Sequence, residues 1–216
     1  MGMHHGFIAA TASLDDLLWE IGTQTGELTR EGEPVPLDHI DFHTGGDGGW
    51  SLAGGEHDGN AYIFDPSLLL SDQPDMVMRM SQRLGVVVGC GAETVSGTFY
   101  LAVGSEGQMR RYLFIQYAGI TRGMGIGAPP LNCELREDFD LEAPDGSGLY
   151  AAMEEVGLDP RPWLREGYAQ PLKYTYERSP EDGPVAAIRR EHCERYKRPE
   201  DPWLSELQVS ASQSSD

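Results

Sequence analysis

The chain has 216 residues and a formal net charge of -19, from 16 Lys and Arg against 35 Asp and Glu, with 39% hydrophobic residues. That length suits one domain, and the composition lets it bury a core without a metal or disulfide staple. An acidic excess of this size excludes a general grip on nucleic-acid phosphates, which needs clustered Lys and Arg.

No apolar run approaches the roughly 20 residues that cross a bilayer. Met1–Gly6 lacks the basic region of a secretory signal, so a cytoplasmic location without membrane contact is expected. Cys90, Cys133 and Cys193 are widely spaced and odd in number. They form neither a disulfide framework nor a zinc half-site, and are expected as reduced thiols with at least one buried. The charge is unevenly placed. Residues 1–78 hold one base, Arg30, against fourteen acids, residues 79–136 hold six bases against three acids, and residues 137–216 hold nine against eighteen. Such a distribution either keeps the molecule dispersed or presents an acidic face to a basic partner.

In chain order, Gly6–Ala12 reads as a first strand. Ser13 and Asp16 then have the spacing of a capping box, and Leu14, Leu17, Leu18 and Ile21 repeat at helical intervals. Residues 29–49, rich in Pro, Gly and acids, read as a long loop with one short element at 37–42. Residues 50–54 and 61–64 read as strands joined through a turn-rich link containing Asp58-Gly59. Asp72 is placed to cap a helix with Pro74 in its first turn, a stripe of Met76, Val77, Met80 and Leu84, and Gly85 as its stop. Val86–Val88 opens a strand. Residues 98–103 and 109–117 form the clearest hairpin, apolar on both registers and so expected to be covered on both faces.

The glycine-rich residues 119–131 read as loop, including Gly123–Gly127. Ser147 is expected to cap a helix with Leu149, Tyr150, Met153 and Val156. A turn near 162–166 and an extended piece at 172–176 follow. The last helix has Asp182 as its cap, Val185, Ile188 and Tyr196 as its stripe, and Pro199 as its terminator. This pattern predicts a single α+β domain over residues 1–204, with a mainly antiparallel sheet of about five to six strands and helices packed against it. A polar disordered tail is expected at 205–216.

Four strings invite a chemical reading. Gly89-Cys90-Gly91 after Val86–Val88 has the look of a nucleotide-site entry, but the third glycine is missing and a strand follows in place of a helix. A tight turn or bulge is expected there. Gly49-Trp50-Ser51-Leu52-Ala53 falls short of a serine-hydrolase elbow. Asp38-His39-Ile40-Asp41-Phe42-His43 sets two histidines four apart, but Gly45 cuts the segment short, and no metal or other cofactor is expected. Cys90 with Glu93 would need a histidine brought by folding, and adjacent His192 and Cys193 point about 100° apart on a helix.

Two functional expectations remain. The first is a non-catalytic acidic protein-binding module that engages a basic protein partner through Asp38, Asp41, Asp47, Glu56 and Asp58, with Trp50 as an aromatic anchor. Its likeness to immunity proteins and secretion chaperones is an analogy of composition and fold class, carried by no motif. The alternative is a small cytoplasmic hydrolase or transferase with its site where the 35–58 loop meets Cys90–Glu93, using His39, His43 or His57 as base.

Overall fold

Ten antiparallel strands carry the fold in the computed structural model, which describes residues 4–42, 50–93, 96–116, 119–127, 131–135, 146–177 and 182–198. The strands are β1 His4–Ala10, β2 Gly26–Arg30, β3 Val35–Pro36, β4 Trp50–His57, β5 Asn60–Phe64, β6 Val87–Glu93, β7 Thr98–Ser105, β8 Gln108–Gln116, β9 Met124–Ile126 and β10 Tyr168–Tyr176. The helices are α1 Leu14–Gln24, α2 Pro74–Leu84, α3 Gly146–Glu155, α4 Arg161–Glu166 and α5 Pro184–Tyr196, with 3-10 turns at Leu37–His39 and Asn132–Leu135. Strand order is β2-β10-β4-β5-β1-β6-β7-β8-β9, and β3 extends the edge by pairing with β10. No helix among the described residues is long and apolar enough to cross a membrane.

The α+β class and the antiparallel sheet agree with the sequence pattern, but the sheet is larger than the five to six strands expected. The additional strands come from segments without periodicity of their own. β2 and β3 lie inside or beside the stretch read as a loop, and both are ordered by hydrogen bonds to β10. β9 sits within the Gly123–Gly127 string and pairs with β8. An edge strand takes its conformation from its neighbour's ladder, so a polar or glycine-rich segment forms one without a hydrophobic signal.

Period-two alternation divides the sheet into two covered faces. Ile8, Ala10, Leu52, Ile63, Val87, Tyr100, Tyr112, Phe114, Leu172 and Tyr174 face one core with α1 and α2. Phe7, Ala9, Ala53, Tyr62, Val88, Cys90, Phe99, Leu101 and Leu113 face the other, beneath α3 and α4. The β7–β8 hairpin is covered on both sides, as its two apolar registers require.

The helices begin partly as the sequence predicts. Ser13 caps α1, its hydroxyl accepting from the Asp16 amide at 3.1 Å. Asp72 does not cap α2, and Asp182 does not cap α5. Instead Asp75, inside α2, accepts from the amides of Gly183 (3.1 Å), Val185 (3.1 Å) and Ala186 (2.8 Å), so α2 caps α5. Ser147 lies within α3 and not ahead of it. Pro199 and the tail at 205–216 lie outside the described residues.

Candidate functional site

A cleft of about 790 Å³ opens at the end of the sheet where β1 and β7 begin and β6 and β8 end. Its construction starts from three glycines. Gly6 of β1 pairs with Gly91 of β6, and Gly89 lies two residues before it. A Cβ on Gly6 would stand 2.5 Å from the Asp65 carbonyl oxygen, one on Gly89 2.7 Å from the Ser71 carbonyl oxygen, and one on Gly91 2.2 Å from Tyr100 Oη. The three therefore form a floor on which the 65–72 loop lies flat. The Gly89-Cys90-Gly91 string, expected as a turn or bulge, runs straight through β6 and serves this close approach.

Asp65 holds the loop on its floor. One carboxylate oxygen accepts from the Ser67 amide (3.2 Å) and hydroxyl (2.5 Å), the other from the Leu70 amide (2.8 Å), the Ser71 amide (2.9 Å) and the Ser71 hydroxyl (3.0 Å). With its proton turned to Asp65, Ser71 Oγ accepts from Tyr100 Oη at 2.7 Å. Burial pushes the Tyr100 phenol well above its usual range, so it remains a donor. Leu68, on the cleft wall, holds a φ of +58°, a left-handed conformation for a residue with a Cβ.

Asp72 closes the loop against α5. Its carboxylate takes both guanidinium nitrogens of Arg189, at 2.5 and 2.8 Å, and Arg189 also donates to Tyr112 Oη at 3.2 Å. The guanidinium lies 4.1 Å from the centroid of the Phe114 ring. Burial pushes the Asp72 carboxyl up, against the pull of Arg189 in the other direction. Phe42 and Trp50 supply aromatic walls, Phe42 meeting Phe64 edge-on at 5.5 Å. Glu93 completes the lining, accepting from the Ser96 hydroxyl, which in turn meets Thr98 Oγ1 at 2.6 Å. The charged lining residues, Asp72, Glu93 and Arg189, sum to one negative charge.

Of the residues singled out from sequence, Trp50 lines this cleft. Glu56, six residue steps and so roughly 20 Å along β4 from Trp50, and Asp58, in the turn just beyond the strand, stand at its other end. There Glu56 accepts from the Leu14 amide at the start of α1. Asp58 lies 3.4 Å from His57 Nε2, and His57 Nδ1 lies 2.7 Å from Glu166 Oε1. Glu56 and Glu166 join Asp15, itself paired with Arg30 at 2.6 Å, around a smaller recess of about 390 Å³. Asp38 is exposed in the 3-10 turn after β3, and Asp41 is exposed just before Phe42. Asp47 and His43 lie outside the described residues. Among those described, no group of three or more His, Cys, Asp or Glu is arranged to hold a metal ion.

Phe42 and Trp50 of the 35–58 segment share the cleft with Glu93 at the end of β6. Cys90 faces the opposite core, however. Its Sγ meets Met153 Sδ at 3.6 Å, and burial pushes its thiol up to about 12. His192 turns its Nε2 to the Arg122 carbonyl at 2.6 Å. Sequence reasoning missed Asp72, Arg189, Tyr100 and Phe114 as a group, since their partners are remote in the chain. The one local signal was Asp72 before Pro74, which reads equally well as a helix cap. No protein-family model matches this chain, and no curated protein or solved structure matches it significantly.

Proposed function

We propose that the protein is a non-catalytic binding module that engages a basic protein partner, and that the end cleft receives an Arg or Lys side chain of that partner. The supporting observation is the lining itself: Asp72 and Glu93 share one cleft with the rings of Phe42, Trp50, Tyr100 and Phe114. A cation gains from carboxylates by Coulomb attraction and from aromatic faces through their quadrupoles, and it gains more where water is partly excluded. Arg189 over Phe114 illustrates the same pairing within the chain. The exposed acids of the first third, among them Asp38, Asp41 and Asp58, would add long-range steering.

The reading is tested by titrating a short acetylated, amidated peptide containing one Arg flanked by glycines, followed by tryptophan fluorescence or calorimetry. Trp50→Ala and Glu93→Gln are each expected to weaken binding about 10-fold, a loss of about 1.4 kcal/mol. Asp58→Asn, with the same change in charge at the other end of β4, should change it less than about 2-fold, as a rim charge does. Equal effects of all three variants would leave only diffuse attraction and contradict the proposal. A small hydrolase or transferase at the same place is the alternative; with Cys90 turned away, it would have to work through Glu93 or Asp72.

A further inference from the structure

The strands at the far edge of the sheet carry a second pocket, of about 500 Å³ and of opposite sign. Arg111, Arg122 and Arg198 line it, together with Leu113, Ile115 and Met124, and no acidic residue is among its lining. For a chain with more than twice as many acids as bases, three arginines around one concavity is a local inversion of charge.

The three are not equivalent. Arg111 is matched by Glu134, which accepts from its Nε at 2.8 Å, and it also donates to the Ile126 and Gly127 carbonyls at 3.3 and 3.0 Å. It forms a fixed, locally neutral wall. Arg122 and Arg198 have no carboxylate partner among the described residues. Arg122 lies 5.6 Å from the centroid of the Tyr196 ring, and Arg198 donates its Nε to the Ile120 carbonyl at 3.2 Å.

Both come from backbone that is sewn together. Ile120 bridges Lys197, the Thr121 amide donates to the Tyr196 carbonyl at 2.9 Å, and the Arg198 amide donates to the Gly119 carbonyl at 3.1 Å. The two guanidinium groups are thus presented from two segments held in register beside an apolar wall. Preorganisation of this kind reduces the entropy lost on binding. We infer that this pocket binds a small molecule in which an anionic head, carboxylate or phosphate, is joined to an apolar body. The head would meet Arg122 and Arg198, whose planar forks suit both oxyanions, and the body would lie along Leu113, Ile115 and Met124.

Calorimetry on the full chain with hexyl phosphate, hexanoate, inorganic phosphate and hexanol tests this. Saturable binding of hexyl phosphate or hexanoate is expected, tighter than that of inorganic phosphate or hexanol because both halves of the pocket are used. Arg122→Gln and Arg198→Gln should each weaken it at least about 10-fold. Arg195→Gln, which removes an exposed arginine paired with Glu191 at 2.6 Å outside the pocket, should leave it unchanged. Absence of saturable binding to the wild-type chain would overturn the inference, as would binding insensitive to both pocket variants or matched by hexanol.

Discussion

Gly6, Gly89 and Gly91 determine how closely the 65–72 loop approaches the sheet, and hence where the cleft lies. Gly6→Ala would set a Cβ 2.5 Å from a backbone oxygen that cannot swing aside. Forcing an extra methyl into such a contact costs about 2–3 kcal/mol, so urea denaturation of the variant should show a lower midpoint with an unchanged slope. An unchanged midpoint would mean that the loop does not lie on that floor. Glu155 offers a pH test. Partial burial opposes ionisation of its carboxyl, but hydrogen bonds from the amides of Asn132 (2.7 Å) and Cys133 (2.8 Å) outweigh this and hold it below the ordinary glutamate range. The unfolded chain therefore takes up this proton before the folded one does. The stabilisation is complete above the unfolded pKa of about 4.3 and is lost as pH falls through the folded value. Wild type should be more stable than Glu155→Gln at neutral pH, with the two converging in acid; a constant difference would refute the assignment.

At the scale of elements, α5 is anchored from α2 and not by its own cap. Asp75 is buried and accepts from three amides at the first turn of α5, while Asp72, three residues earlier, grips Arg189 about one turn further on. Removing a cap costs about 1 kcal/mol and leaving buried donors unmet costs more, so Asp75→Ala should destabilise the protein by about 2 kcal/mol. Amide exchange at Val185 and Ala186 should accelerate more than exchange in β7. Uniform acceleration across both would show that α5 has no separate dependence on Asp75.

The same element shows what was legible in the chain. Its span follows from the sequence, as do the spans of α1 and α2, because helical periodicity and end signals are local. Its cap was misread because Asp182 is a chain neighbour and Asp75 is not; Asp182 instead pairs with Arg190. β2, β3 and β9 were illegible for the same reason, since their order comes from partners far away in the chain. Within the cleft, Trp50 was singled out from the sequence and lies in the lining, whereas the Asp72–Arg189 pair spans 117 positions and leaves no local trace.

Across the whole molecule, the uneven charge of the sequence becomes a spatial gradient. β1 to β5 come from the acidic first third, and β6 to β9 from the segment with six bases against three acids. In the sheet order, β2, with Glu27 and then Glu31 and Glu33 beyond it, lies at one edge, while Arg111 and Arg122 gather near β9 at the other. Acids on an exposed edge strand also repel another sheet's edge, so part of this gradient protects against aggregation. The cleft draws residues from both halves, which places a single carboxylate–arginine pair and four aromatic rings where the two charge regimes meet.

The central claim is that a basic side chain seeks this cleft and not the acidic surface at large. Amide NMR mapping of the Arg-peptide titration, repeated in raised salt, tests it most directly. The account predicts that the largest shifts fall on Trp50, residues 65–72, Glu93 and Thr98, and that salt weakens them without moving them. Shifts spread over β2 and the 56–58 turn, vanishing together as salt rises, would contradict it.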